Sequence, residues 1–478
     1  MKNPMRRALA LTLCLCLIVP ALASCAAERN ESPGQTAGRA SPTPRGTEAG
    51  SEADASAPLS GTLRIAAQDA YGLTELVGGF MALHPGVTVT LDSAFGADDP
   101  EMDEAEMVAK GDAFARRIRL EMQNGEGPDL LNVFDMDFYD LFKQGLFDDL
   151  YAYMDDDPDF DRADYFENIF AALEYEEGLY AMPTTIMMEY VRLNKMVTGM
   201  LGVDAGQYDV ITPMQILELY GWALDGQNVG SSFWLAYGDG GKSVLLSEFH
   251  AYLDEKEGTA RFDSPEFIAY LEASQRIQTQ RDAFFHDMMG VTPESLFDDG
   301  TSALIHRDIT ATFNAAIMVS KSNAYTRAIP LGLGKIGRDR FFYINRVLLS
   351  IAEGSENKAL AWAFIQYCIA ESETVTHWEK RGQWNGDRFG AFLPINRNNL
   401  KKYVAAVQKS GVGALSPSES DEIYEMLAGW AEAANKSARS FPYALFDDVL
   451  SAYYDEMSLT AEECAKQIQA RAEAYLAG

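Results

Sequence analysis

Basic side chains are scarce in this chain of 478 residues, where 39 lysines and arginines accompany 71 aspartates and glutamates. The formal net charge of −32 repels phosphate groups. It therefore excludes an extended DNA- or RNA-binding surface and electrostatic attraction to anionic membranes. The five histidines are scattered without the spacing of a metal site. Apolar residues at 47% and charged residues at 23% are typical of a globular protein of two or three domains.

Long apolar runs are also missing, apart from one near the N-terminus. Three basic residues precede residues 8–22, an apolar segment too short for an ordinary transmembrane helix but typical of an export signal. The sequence Leu-Ala-Ser-Cys at 22–25 resembles a bacterial lipobox, which implies cleavage before Cys25 and diacylglycerol on its sulfur. The alternative is an ordinary signal peptide followed by a cysteine by chance.

Residues 26–60 contain no aromatic residue and almost no large aliphatic one. A segment rich in Ala, Ser, Gly, Pro, Thr and Glu cannot bury a core, so we expect a disordered tether. Its r.m.s. reach would be about 30 Å. Cys368 and Cys464 follow much later, at apolar positions of helical patterns, where we expect small buried hydrophobic side chains rather than an indicated disulfide.

From residue 61 the pattern predicts alternating strands and helices. A strand at 62–67, a helix with Leu73, Val77 and Phe80 on one face, and a strand at 87–91 form a βαβ unit. This unit predicts a parallel sheet with a right-handed crossover. A helix at about 105–122 and a buried strand at 130–134 come next. Trp222 and Trp362 lie in helical patterns and are predicted to be in the core.

A series of short motifs runs through the chain in a fixed order. A capping box, Thr460-x-x-Glu463, opens the last helix. The motifs are His-Pro-Gly-Val at 84–87, Gly-x-Gly-Pro-Asp-Leu-Leu at 125–131, Gly-Leu-Phe-Asp-Asp-Leu at 145–150, Gly-Leu-Tyr-Ala-Met-Pro at 178–183, Val-Arg-Leu-Asn-Lys at 191–195, Phe-Asp-Asp-Gly-Thr-Ser-Ala-Leu at 297–304 and Ser-Glu-Asn-Lys-Ala-Leu-Ala-Trp-Ala-Phe-Ile at 355–365. This order resembles the family 1 extracellular solute-binding proteins of ABC importers, a group that includes sugar-binding lipoproteins.

The resemblance implies an α/β, two-lobe periplasmic-binding-protein-like fold with a hinge and an interlobe ligand cleft. Lobe one would comprise residues 61–183 plus 343–394, and lobe two residues 184–342 plus 395–478. It also implies that the protein is a monomer, binds no cofactor and is not an enzyme. Its partners would be a small-molecule solute, the ABC permease transmembrane subunits and, through the lipid anchor, the outer face of the cell membrane.

Motifs for catalysis or cofactors do not fit their required contexts. Gly332, Gly334 and Gly337 match a dinucleotide fingerprint, but the residues after them read as a loop and a strand, whereas the fingerprint requires a helix. The acidic segment 155–161 lacks the glycine and glutamate of a calcium loop, so we expect a solvated loop. No metal site is predicted.

The ligand is expected beyond the C-terminal ends of the strands, as in other open α/β sheets. Aromatic faces there would stack on a ring, while carboxylates, amides and arginine would hydrogen-bond its polar edges. The candidate residues are Asp69, Tyr71, Phe134 and Asp135 after the first strands, Glu189 on a crossing strand, Trp234, Tyr237 and Arg307 from lobe two, and Asn345, Trp384, Asp387 and Arg388 from the later crossing regions.

The function implied is a membrane-anchored receptor that delivers a small polar solute, foremost a sugar or oligosaccharide, to a permease. Two positions where sugar-binding relatives often carry tryptophan hold Thr310 and Met214, which argues against a sugar. Amino-acid-like, peptide or polyamine solutes stay open. A sensory or adhesive lipoprotein and a carbohydrate-active hydrolase on the same scaffold are the alternative functions.

Overall fold

The computed structural model describes most of the chain after residue 57. The described residues are 58–70, 72–95, 104–136, 138–225, 242, 245–246, 248–254, 256–287, 305–309, 326–333, 337–344, 346–370, 392–409, 416–438 and 445–477. The export signal, Cys25 and nearly all of the tether lie outside them.

Thirteen strands are present in these residues. They are β1 Ser60–Asp69, β2 Gly86–Phe95, β3 Leu130–Asn132, β4 Met182–Pro183, β5 Thr185–Asn194, β6 Leu253–Asp254, β7 Thr259–Ala260, β8 Ile305–Ile309, β9 Thr326–Pro330, β10 Phe341–Ile344, β11 Leu348–Ile351, β12 Leu393–Pro394 and β13 Lys436–Ala438.

Helices cover the faces of the sheets. In the same described ranges they are α1 Leu73–Leu83, α2 Glu104–Gln123, α3 Phe138–Lys143, α4 Leu150–Asp156, α5 Glu167–Leu173, α6 Lys195–Met200, α7 Pro213–Asp225, α8 Pro265–Asp287, α9 Lys358–Ile369, α10 Arg397–Lys409, α11 Pro417–Ala433, α12 Asp447–Tyr454 and α13 Ala461–Leu476. The capping box at Thr460 is confirmed at the start of α13.

The first sheet has the strand order β2-β1-β3-β11-β4. β1 pairs in parallel with β2 and with β3, so the predicted βαβ unit is confirmed. Leu73, Val77 and Phe80 form the buried face of α1, as their spacing predicts.

Residues of two motifs that are distant in sequence meet beside this sheet. Asp129, from the Gly-Pro-Asp-Leu-Leu motif, is buried, and its carboxylate accepts a hydrogen bond from the Arg64 backbone N–H at 2.8 Å. The same carboxylate accepts hydrogen bonds from the Ser355 hydroxyl at 2.6 Å and the Asn357 side chain at 3.2 Å. A buried carboxylate is costly unless it is hydrogen-bonded, so this aspartate has a structural role.

The second sheet has the order β12-β5-β10-β13, with β8 and β9 also paired to β5. All partners of β5 run antiparallel to it, while β13 is parallel to β10. Only Thr184 separates β4 of the first sheet from β5 of the second. Residues 345–347 separate β10 from β11, where the chain returns from the second sheet to the first.

Strand β5 contributes to two hydrophobic cores. Ile186, Met188 and Tyr190 belong to a core that continues under the first sheet and includes α10 and α11. Val191 and Leu193 belong to a second core with α7, α8, α12 and α13. The two cores therefore share one central strand.

Of the four side chains predicted to be in the core, two are buried, one is half-buried and one is exposed. Trp362 is buried, with its indole N–H donating to Asp157 at 2.8 Å, and Cys464 is fully buried. Trp222 is 50% exposed, because α7 turns Leu219 and Tyr220 inward instead. Cys368 is half-buried, and it and Cys464 are free thiols.

Asn132 at the end of β3 fixes the passage from β10 to β11. Its side chain is 1% exposed, and its Nδ2 donates to the Arg346 carbonyl at 2.7 Å. Its Oδ1 accepts from the Leu348 N–H at 2.8 Å. One buried amide thus satisfies two backbone groups of the chain that leaves the second sheet.

We expect Asn132→Ala to lower the free energy of unfolding by about 2–4 kcal/mol, because it leaves two backbone groups inside the protein without partners. Urea denaturation followed by circular dichroism measures this loss. Asn124→Ala, at an exposed position, is the matched control and should change stability by less than about 0.5 kcal/mol. Equal stabilities of the two variants would contradict this role of Asn132.

Candidate functional site

Two acidic side chains lie at one edge of the first sheet. Asp69 ends β1, and Asp135 follows the neighbouring parallel strand β3. Parallel strands present their carboxyl ends at the same edge, which explains why residues far apart in sequence come together. The charge of Asp69 acts on Asp135 strongly enough to raise its pKa. Phe134 lies half-buried beside them.

Asp135 has an unusual environment. Asp135 is exposed as a residue, while neighbouring protein partly removes its carboxyl group from water. Partial removal from water, and then the charge of Asp69, raise the pKa of Asp135 from 3.8 to about 7, while Arg346 opposes the shift. The carboxyl group can therefore accept or donate a hydrogen bond near neutral pH.

Arg346 completes this acidic edge from the β10–β11 passage. Its Nη1 lies 3.2 Å from Oδ2 of Asp69, with the two side chains 36% and 35% exposed. Sequence reasoning missed Arg346 and selected its neighbour Asn345. Two predicted carboxylates at one sheet edge call for a nearby cation, and an arginine just after a crossing strand is the signal that would have found it.

Glu189 and Tyr343 form a second polar group on the crossing strands. Met188 and Phe342 are paired across β5 and β10 and face the core, so Glu189 and Tyr343 project from the opposite, half-exposed face. The Tyr343 hydroxyl donates to Oε1 of Glu189 at 3.2 Å. Tyr343 was not among the predicted site residues, because its partner on β5 is set by strand register.

A histidine ring packs beside these strands. The ring centroid of His250 lies 5.9 Å from that of Tyr343 and 5.4 Å from that of Phe341. Burial lowers the pKa of His250 to about 4, so the imidazole is neutral at pH 7. It therefore adds an aromatic surface without adding a positive charge.

The other predicted site residues are not part of these two polar groups. Arg307 lies on β8 opposite Val191 of β5, with its backbone placed by that pairing. The remaining predicted residues that lie outside the described ranges are Tyr71, Trp234, Tyr237, Asn345, Trp384, Asp387 and Arg388.

A cavity of about 690 Å³ lies elsewhere, at the Asn194 end of β5. Its lining includes Lys195, Arg327 and Met426. Glu189, Asp69 and Asp135 are not among its lining residues. This cavity therefore does not coincide with the polar groups described above.

The residues after the glycine motif at 332–337 form a strand. After Gly337 the chain continues into strand β10, so the dinucleotide fingerprint lacks its helix. Within the described ranges, no three His, Cys, Asp or Glu side chains are placed to hold a metal ion. No helix in this part of the chain is long and apolar enough to cross a membrane.

The sequence profile of the bacterial extracellular solute-binding proteins matches residues 66–374. The chain belongs to this family. The extracellular solute-binding proteins act outside the cytoplasm, which places this chain there as well. No curated protein sequence matches the chain.

Solved structures of solute-binding proteins share the fold across nearly their whole length. UspC of M. tuberculosis has a TM-score of 0.55 at 14% identity, with 86% of this chain and 99% of that chain covered. A family 1 extracellular solute-binding protein from Alicyclobacillus acidocaldarius gives 0.54 at 12% identity, covering 88% and 99%. The cyclic alpha-maltosyl-1,6-maltose binding protein from Arthrobacter globiformis gives 0.51 at 13%, covering 87% and 99%. The expected α/β, two-lobe fold is thereby confirmed.

We expect Asp135→Asn to stabilise this solute-binding protein at pH 8 and not at pH 3.5. The native pKa is raised, so the wild-type protein loses stability as pH rises from about 4 to about 7, where the unfolded chain releases the proton first. The gain at pH 8 should be about 1 kcal/mol, after allowing for solvent screening of an exposed carboxyl group.

Urea denaturation at both pH values measures this effect. Asp156→Asn, at an exposed position on α4, serves as the control for loss of one negative charge. A gain for Asp135→Asn that is equal at pH 3.5 and pH 8 would contradict the assignment.

Proposed function

We propose that this chain is the membrane-anchored solute receptor of an ABC importer and binds a neutral sugar or oligosaccharide between its two lobes. The observation that carries the proposal is the pairing of polar groups at the passages between the sheets. Asp69, Asp135 and Arg346 lie at one edge of the first sheet, and Glu189 pairs with Tyr343 on the crossing strands β5 and β10.

These groups match the chemistry of a sugar. Sugar hydroxyls donate to carboxylates and accept from guanidinium or phenol groups, and the apolar face of a sugar ring stacks on aromatic side chains. Tyr343 and His250 offer aromatic surface beside the carboxylate of Glu189. Two solved relatives point the same way by their names, the Arthrobacter protein above and a sugar transporter from Rhizobium etli with a TM-score of 0.52 and 16% identity.

We propose lobe one at residues 61–183 plus 343–394 and lobe two at 184–342 plus 395–478. In support, β1 to β4 and β11 of the first sheet lie almost entirely within the first set of residues, and β5, β8, β9 and β13 of the second sheet lie within the second set. β12 and the end of β10 belong to the second sheet, although their residues fall within the first set. Passages of one and three residues between the sheets form a hinge, and a ligand that contacts both lobes favours the closed form.

Delivery to a permease and attachment through Cys25 belong to the same proposal. Leu-Ala-Ser-Cys at 22–25 and the tether at 26–60 support attachment, because two or more acyl chains hold a soluble domain on a membrane where one does not. The receptor would work as a monomer, and the closed form would dock on the transmembrane subunits.

One observation favours the alternative of a carbohydrate-active hydrolase. Asp69 and Asp135 form a pair in which one pKa is raised, as in a general acid. However, Arg346 pairs with Asp69, and both carboxylates lie at one sheet edge, whereas a hydrolase needs one carboxyl group on each side of the bond it cleaves. Binding without turnover is therefore the better proposal, and chromatography of the sugar after prolonged incubation distinguishes the two.

We expect the purified full-length protein to bind maltotriose in calorimetric titration, and Tyr343→Ala to weaken that binding at least about tenfold by removing a ring and a hydroxyl group. Tyr475→Ala, at a half-exposed ring near the C-terminus, is the matched control and should bind as the wild type does. Wild-type protein that binds no sugar from a panel of neutral oligosaccharides would refute the proposed solute class.

We expect Cys25→Ser to release the protein from the membrane fraction of expressing bacterial cells, because the serine cannot carry the thioether-linked lipid. Detergent phase partitioning and immunoblotting of the fractions measure the release. Cys464→Ser, which alters a buried thiol of the folded part, is the control and should stay with the membrane. Equal partitioning of wild type and Cys25→Ser would contradict lipid attachment.

A further inference from the structure

Arg346 is held in a backbone conformation that its side chain does not favour. Its φ of 51° lies in the left-handed region, which glycine and asparagine adopt more readily than arginine. The Asn132 amide fixes its carbonyl at 2.7 Å, and the Val347 carbonyl accepts from Thr184 N–H at 3.3 Å. Strain that the surroundings enforce on an arginine points to a use for the side chain.

The side chain of Arg346 lies between charged groups of lobe one. Its guanidinium pairs with Asp69 at 3.2 Å and opposes the electrostatic effect of Asp69 on Asp135. Without the guanidinium, two carboxyl groups would share one edge of the cleft and attract a cation. With it, the edge carries at most one net negative charge.

Arg346 also lies where the two lobes meet. It is two residues beyond β10 and two before β11, so its position is tied to both sheets. A ligand that contacts its guanidinium contacts the hinge segment itself.

We propose that Arg346 is a specificity-determining residue of the cleft, where it cancels the charge of Asp69 and thereby selects neutral polyhydroxy solutes over cationic ones. This inference rests on the proposed sugar-binding function. It adds that one ion pair separates sugars from polyamines and amino sugars, which the acidic edge alone would favour.

The test measures binding of maltotriose, spermidine and the glucosamine trimer to full-length wild type and Arg346→Asn by calorimetry. Asparagine tolerates the left-handed conformation, so this variant removes the guanidinium and keeps the backbone. We expect maltotriose affinity to fall, and affinity for the two cations to rise, each by at least about tenfold. Arg346→Gly, which fits the same φ, replaces it if Arg346→Asn does not fold.

Arg471→Asn is the matched control for net charge. Arg471 pairs with Asp448 at 2.7 Å between α13 and α12, and its side chain is 33% exposed, close to the value for Arg346. We expect wild-type selectivity from this variant. An unchanged ratio of maltotriose to spermidine affinity in Arg346→Asn, or the same change in Arg471→Asn, would overturn the inference.

A measurement without ligand separates this inference from the sugar proposal. Carboxyl-carbon NMR titration of Asp135 should give a higher pKa in Arg346→Asn than in the wild type, because the opposing positive charge is lost. An unchanged pKa overturns the role of Arg346 even if maltotriose binds. Wild type that binds no neutral sugar, with the pKa rise present, refutes the sugar proposal and leaves the charge cancellation by Arg346 supported.

Discussion

The shortness of the passages between the two sheets is the constraint on which the polar site depends. Thr184 alone joins β4 to β5, and three residues join β10 to β11. Such short connections leave the chain little freedom, so the side chains at their ends are presented at the junction of the lobes. Asn132 strengthens this constraint because one buried amide bonds to the chain on both sides of Val347.

Strand β5 links the site to the rest of the molecule. The first half of β5 contributes side chains to one core and the second half to the other. Its partners β8, β9 and β10 bring distant segments to the same sheet. The half-exposed face that carries Glu189 is backed by Met188 and Tyr190 on the buried face. A binding group on a strand packed in this way is held more rigidly than one on a loop, which lowers the entropic cost of fixing a ligand.

Local patterns predicted the parts of the fold that local physics determines. The spacing of Leu73, Val77 and Phe80 predicts α1, and the position of Asp69 after a strand places it at a sheet edge. The register between strands that are distant in sequence cannot be predicted from local sequence patterns. The contact of Glu189 with Tyr343 joins residues 154 positions apart, and the left-handed Arg346 gives no sequence signal of the kind that glycine gives. Trp222 was misjudged because helical spacing alone does not reveal which neighbour covers a face.

The two free cysteines have a practical consequence. Burial raises the pKa of both Cys368 and Cys464, that of Cys464 to about 12, so both thiols stay protonated and react slowly. Cysteines introduced at exposed positions on either lobe would react first with a maleimide dye or spin label. Once Cys14, Cys16 and Cys25 are removed, the rest of the chain is therefore a ready background for measuring the distance between the lobes by energy transfer or electron paramagnetic resonance.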